Sequence, residues 1–121
     1  MRRSMIAGIS VLAAGLVACS EPTAVACTLE FRYGLSIAVL DGSGTPAAEG
    51  AFGLAVEGSF VDTMMVFSPE TLVGAGERAG TYDITITKEG FMTWTAENIT
   101  VTADECHVIP VSLDANLIPV P

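Results

Sequence analysis

Hydrophobic and polar residues alternate along most of this chain, in short runs with a period of two. Leu35, Ile37 and Val39 alternate with Ser36 and Ala38, and the turn-forming cluster Asp41-Gly42-Ser43-Gly44-Thr45-Pro46 follows. Phe52, Leu54 and Val56 form a second run, closed by Gly58-Ser59, and Phe60–Phe67 form a third. Ser68–Gly76, with Pro69, Gly74 and Gly76, reads as the longest irregular stretch. Tyr82, Ile84 and Ile86 alternate against Thr81, Asp83, Thr85 and Thr87. That is the pattern of a half-buried strand, because successive side chains of an extended chain point to opposite faces. Phe91–Ala96, Ile99–Val101 and a closing run of His107, Ile109, Val111 and Leu113 complete the series. No window after residue 20 sustains a helical period. Short strands at this spacing predict an all-β fold, a seven-stranded antiparallel Greek-key β-sandwich, after an N-terminal signal helix.

The N-terminal segment follows a different logic. Arg2 and Arg3 precede Met5–Ala18, a run of 14 residues that is apolar apart from glycines and Ser10. At ~1.5 Å per residue the run reaches about 21 Å, short of the roughly 30 Å hydrocarbon core of a bilayer. It therefore reads as the hydrophobic region of a secretory signal, and Ser20-Glu21-Pro22-Thr23 ends it at once. Leu16-Val17-Ala18-Cys19 resembles the lipobox of bacterial lipoproteins. The resemblance implies that the Cys19 thiol receives a diacylglycerol, that cleavage makes Cys19 the new N-terminus, and that a lipid anchor holds the protein to a membrane of the cell envelope. Ser20 in the following position implies the outer membrane in preference to the inner one.

Three cysteines are an odd number for an exported chain. With Cys19 assigned to lipid, Cys27 and Cys106 can pair across nearly the whole domain; the alternative is two buried free thiols. In the chain-entropy model a loop of about 80 residues would be stabilised by about 4–5 kcal/mol. Without residues 1–18 the chain holds 14 acids and 3 bases, a net charge of −11. That balance disfavours nucleic acid and anionic lipid surfaces, which reward Lys and Arg. The carboxylates are scattered, so they read as a solvated surface.

Ile37–Ala51, with Val39-Leu40-Asp41, its glycines and Pro46-Ala47-Ala48-Glu49-Gly50-Ala51, resembles the opening of the carboxypeptidase regulatory-like domain. Gly80-Thr81-Tyr82-Asp83-Ile84-Thr85-Ile86, followed by Glu89-Gly90-Phe91, resembles that family's second signature, and Val108–Leu113 its closing strand. The resemblance implies a transthyretin-like sandwich without catalytic residues. The expected organisation is a signal peptide (1–18), a lipidated cysteine and tether (19–32), the sandwich (33–114) and a C-terminal tail (115–121). Tyr82 should supply a buried ring whose hydroxyl finds a local backbone partner.

Catalytic constellations are sparse. His107 is the only histidine, and alternation places it with Ile109 and Val111 at the edge of the core. No motif sets a Ser or Cys nucleophile beside it. Too few His and Cys remain for zinc, and Asp104-Glu105 reads as a solvated cap with no calcium-loop pattern around it. The single His107 and the ending Ile118-Pro119-Val120-Pro121 also lack the histidines and C-terminal Tyr-Arg-Gly-Ser of 5-hydroxyisourate hydrolase, an enzyme on the same fold. No cofactor is expected. Two functions follow: a non-catalytic envelope module with a structural or accessory role beside a protein partner, or a module binding glycan or peptide. Trp94, with Met92 and the 68–76 segment, is the candidate platform for the second; a buried Trp94 favours the first.

Overall fold

The computed structural model describes residues 26–121. The expected signal helix, Cys19 and the tether Ser20–Val25 lie outside the described residues. Within them the chain is all-β and contains no helix. Nine strands form: β1 (Tyr33–Leu40), β2 (Phe52–Glu57), β3 (Phe60–Thr63), β4 (Met65–Ser68), β5 (Thr71–Gly76), β6 (Gly80–Thr87), β7 (Trp94–Ala103), β8 (Val108–Ile109) and β9 (Val111–Asn116). They build a sandwich of two sheets, ordered β4-β5-β1-β9 and β3-β2-β6-β7-β8.

Alternation places the two central strands as expected. Leu35, Ile37 and Val39 of β1 and Tyr82, Ile84 and Ile86 of β6 are all buried between the sheets, joined by Leu72, Val101 and Ala115. Each such residue removes most of its apolar surface from water, worth about 1.5–3 kcal/mol per large side chain. The Tyr82 ring is fully buried, and its hydroxyl donates to the Arg78 carbonyl at 2.8 Å.

Several expectations are corrected. The strands number nine, because Phe60–Phe67 is not continuous. It pairs with β2 as β3, turns inward at buried Met64, and pairs with β5 as β4 in the other sheet. Phe52, Leu54 and Val56 face outward on β2, while Gly53 and Ala55 face the core. Size decides this register: a Cβ on Gly53 would already stand 3.1 Å from Leu72 Cδ1, so that space belongs to the opposite sheet. Ser68–Gly76 is mostly strand, with Leu72, Val73, Gly74 and Ala75 buried in β5. Its glycines serve close packing instead of loop flexibility. Of the expected runs Phe91–Ala96 and Ile99–Val101, the part from Trp94 onward forms one strand across an irregularity in the β6–β7 register, where Asn98 takes φ 58° and its N–H donates to Asp83, while Phe91 makes only an isolated bridge. Ile109 is exposed and Val108 buried, because Pro110 separates β8 from β9 and resets the alternation. Residues 115–121 are more than a tail, since Ala115 and Leu117 are buried and Pro119 bridges to Phe91.

The sandwich is also not wholly antiparallel. β9 lies parallel to β1, in register from Leu35↔Val111 to Leu40↔Asn116. Parallel neighbours need a long crossover, and here nearly the entire domain supplies it. Just outside this pair, a disulfide joins Cys27 to Cys106, with Cα atoms 5.3 Å apart and a sequence separation of 79.

Two outcomes follow from this packing. The double substitution Cys27→Ser/Cys106→Ser should lower stability by about 4–5 kcal/mol in denaturant unfolding, the value for a loop of this length; an unchanged midpoint would mean the bridge constrains nothing. On Gly34 of β1 a Cβ would stand 2.7 Å from Val101 Cγ1 and 2.9 Å from the Ala75 carbonyl oxygen. Gly34→Ala should therefore cost about 1–3 kcal/mol by overpacking, measured the same way, and a neutral result would place the sheets farther apart.

Candidate functional site

One end of the sandwich gathers most of the polar chemistry. The chain enters there through Cys27, β1 and β6 begin there, and β5 and β7 end there. Beside the disulfide, Thr28 Oγ1 lies 3.1 Å from His107 Nε2, and His107 Nδ1 lies 2.5 Å from Glu77 Oε2. Glu77 also accepts the backbone N–H groups of Arg32 and Val108, at 3.0 and 3.1 Å. The turn after β5 aims this carboxylate: Ala75 and Glu77 take φ 54° and 48°, left-handed values that reverse the chain. Partial burial works to raise the Glu77 carboxyl, but the bonds from His107, Val108 and Arg32 outweigh it and hold the group below its ordinary 4.5.

Hydroxyl, imidazole and carboxylate stand here in the order of an acyl-transfer triad. Such a site also needs a cleft at the hydroxyl and N–H donors for an oxyanion. The nearby N–H groups of Cys106 and His107 already donate to Asp104 Oδ1, at 2.8 and 2.9 Å, and neither Thr28 nor His107 lines the aromatic cleft or the Trp94 notch described below. The relay acts as a brace between the incoming chain, the β5–β6 turn and β8. Asp104, read as a solvated cap, closes the turn that carries Cys106.

A second cluster forms on the sheet side of the same end. The Arg78 guanidinium lies 3.7 Å from the Phe60 ring centroid. It donates to Glu57 at 2.7 Å and to the Tyr82 hydroxyl at 3.1 Å. Glu57 accepts the Thr81 N–H at 2.7 Å, and that bond, followed by the one from Arg78, lowers its carboxyl from 4.5. Next to this cluster β4 pairs with β5 only as far as Met65↔Val73. Asp62 takes over from there, its Oδ2 accepting the Ala75 N–H at 2.6 Å.

The departure of β4 opens a cleft of about 270 Å³, walled by Phe31, Tyr33, Phe60, Asp62, Met65 and Arg78 among others. Phe31 and Tyr33 meet edge to face with centroids 5.2 Å apart. Pattern reading missed this site because Phe60 joins it only through the sheet. The available signal was Phe31-Arg32-Tyr33, two aromatic rings at a spacing that puts both on one face of an extended chain.

Trp94 lies at the opposite end, where β7 starts opposite Ile86. It is half-buried, packs against the core edge, and shares a notch of about 90 Å³ with Met92, Thr93, Asn116 and Ile118. No second aromatic ring lines this notch. Pockets that enclose small ligands usually span about 300–1,000 Å³; the Trp94 notch falls well short, and the aromatic cleft comes close. The expected platform is also divided, since Val73–Gly76 line the aromatic cleft and Trp94 and Met92 the other.

Fold and site together define a disulfide-bridged β-sandwich with an aromatic cleft where its chain enters. Compared with known proteins, the chain matches no protein family and no curated protein.

The carboxylates here set the response to acid. Glu57, Glu77 and Asp104 all titrate below their ordinary values of 4.5, 4.5 and 3.8. A lowered folded value means the unfolded chain binds protons first, so the stability they contribute is complete above about pH 4.5 and is lost as pH falls further. Denaturant unfolding at pH 6 and pH 3 should show this loss, and Glu77→Gln should lose less on acidification than the wild type. Equal losses would remove Glu77 from the account.

Proposed function

We propose that this protein is a lipid-anchored module of the bacterial cell envelope with a non-catalytic, structural or accessory role. One observation carries the reading. With Cys27 and Cys106 bridged, the third cysteine, Cys19, stands directly behind Leu16-Val17-Ala18, where a lipobox places its acylated residue. The bridge starts eight residues further on, so a short segment links the proposed anchor to the sandwich. Ser20 favours the outer membrane as the destination.

The sandwich supports membership of the carboxypeptidase regulatory-like, transthyretin-like group. Counting β3 and β4 as one strand that changes sheets, and setting aside the two-residue β8, reduces nine strands to the seven of that Greek-key fold. The turn glycines in the two resembling segments also take the left-handed values that turns require, with φ 88° at both Gly44 and Gly90. A second reading, binding of glycan or peptide, is favoured by the cleft between Phe31, Tyr33 and Phe60, because aromatic walls offer stacking surface at little conformational cost.

Mass spectrometry of the membrane-extracted protein tests the main reading. A mature N-terminus at Cys19 carrying diacylglycerol and a further acyl chain is expected, and Cys19→Ala should leave the protein unprocessed. A mature protein without acyl chains at Cys19 refutes the anchor. Titration of the intact protein with peptidoglycan fragments, read by NMR shifts at Phe31, Tyr33 and Phe60, decides the second reading.

A further inference from the structure

We propose that the end of the sandwich where the chain enters is a membrane-facing surface, and that Leu29, Phe31 and Phe60 rest on the interfacial layer of the bilayer that holds the Cys19 lipid. This inference rests on the lipoprotein reading above. Scattered apolar side chains on a protein surface need no explanation, whereas a cluster at one end does. Leu29 is fully exposed and Phe31 is 62% exposed, and Phe31 shares its cleft with Phe60 and with Met65, itself 57% exposed.

The length of chain ahead of the sandwich restricts what these residues can meet. The disulfide fixes Cys27 to the domain, and Cys19 precedes it by eight residues. At 3.3–3.6 Å per residue the link spans at most about 29 Å. Leu29 and Phe31 follow Cys27 directly, so this end lies nearest the proposed anchor and the Trp94 end farthest from it.

Charge is distributed to match. Arg32 and Arg78, two of the three bases after residue 25, sit at this end, and so does His107. Each faces a carboxylate, of Glu30, Glu57 and Glu77 respectively. Asp62 and Asp104 accept backbone N–H groups, which leaves Glu105 as the carboxylate without such a partner here. Towards the other end, Glu49, Glu70, Glu89, Glu97 and Asp114 have no ion-pair or hydrogen-bond partner for their carboxylates among the described residues. The base there, Lys88, donates to the Ala47 and Glu49 carbonyl oxygens. A bilayer surface would meet exposed apolar side chains beside paired charges at the end nearest the proposed anchor, while the uncompensated carboxylates towards the other end face water and are repelled by any anionic lipid.

The test uses the full-length acylated protein reconstituted into phosphatidylcholine vesicles. The indole introduced by Phe31→Trp, in a Trp94→Phe background, should be quenched several-fold more by lipids brominated near the headgroup than native Trp94 is in the otherwise unchanged protein. Phe60→Trp in the same background should behave like Phe31→Trp and guards against a fault particular to one variant. Protein that floats with the vesicles while neither introduced indole is quenched overturns the docking surface and leaves the anchor standing. Failure to float at all overturns the lipoprotein reading together with this one. Shielding of the indole that rises with protein concentration and ignores bromination assigns the surface to a second copy, and this too overturns the proposal.

Discussion

Strands β1 and β9 lie side by side in parallel, and nearly every other feature depends on that pairing. Because the two run in the same direction, the chain between them must leave the first sheet, build the second and return. The Cys27–Cys106 bridge repeats the closure one step outside, joining the lead-in of β1 to the loop before β8. Hydrogen bonds from Thr28, Arg32, His107 and Val108 converge on the same corner, most of them at the single carboxylate of Glu77. A pull on the N-terminus is thus delivered to both sheets and not to one edge strand, which suits a domain held through its N-terminal side.

Close approach of the two layers is the second constraint. Gly34, Gly53 and Gly74 point at side chains or carbonyls of neighbouring strands with no room for a Cβ to enter freely. Small residues on β2 and β5 let Leu72 and Met64 fill the middle, and the larger side chains of β2 are displaced to the outer face. The cost of that arrangement is visible on the surface, where Phe52, Val61, Met65 and Phe67 remain exposed. At the entry end the apolar residues gather beside ion pairs, and this combination separates them from a general scatter.

The resemblance to a carboxypeptidase regulatory-like domain bears on the same features. Its signature segments fall on β1 with its turn and on β6 with its turn, the two strands whose burial alternation is cleanest. They are scaffold, and the aromatic cleft lies outside them, built from the lead-in, β3 and the end of β5.

The sequence by itself determined the all-β class, the strands β1 and β6, the turn at Asp41–Pro46 and the buried Tyr82 with its backbone partner, and it offered Cys27 and Cys106 as a pair once Cys19 is set apart. These depend on local periodicity, on turn residues and on counting, all of which act between near neighbours or over the chain as a whole. Only the tertiary structure decided the phase of β2, the strand character of Thr71–Gly76 and the break at Met64. There the choice between faces depends on how much space the opposite sheet leaves, and hydrophobic alternation does not encode that space. The Thr28–His107–Glu77 brace and the Phe31–Tyr33–Phe60 cleft belong to the same group. Their members stand far apart in the chain, and only the pairing of distant strands brings them within a few ångströms.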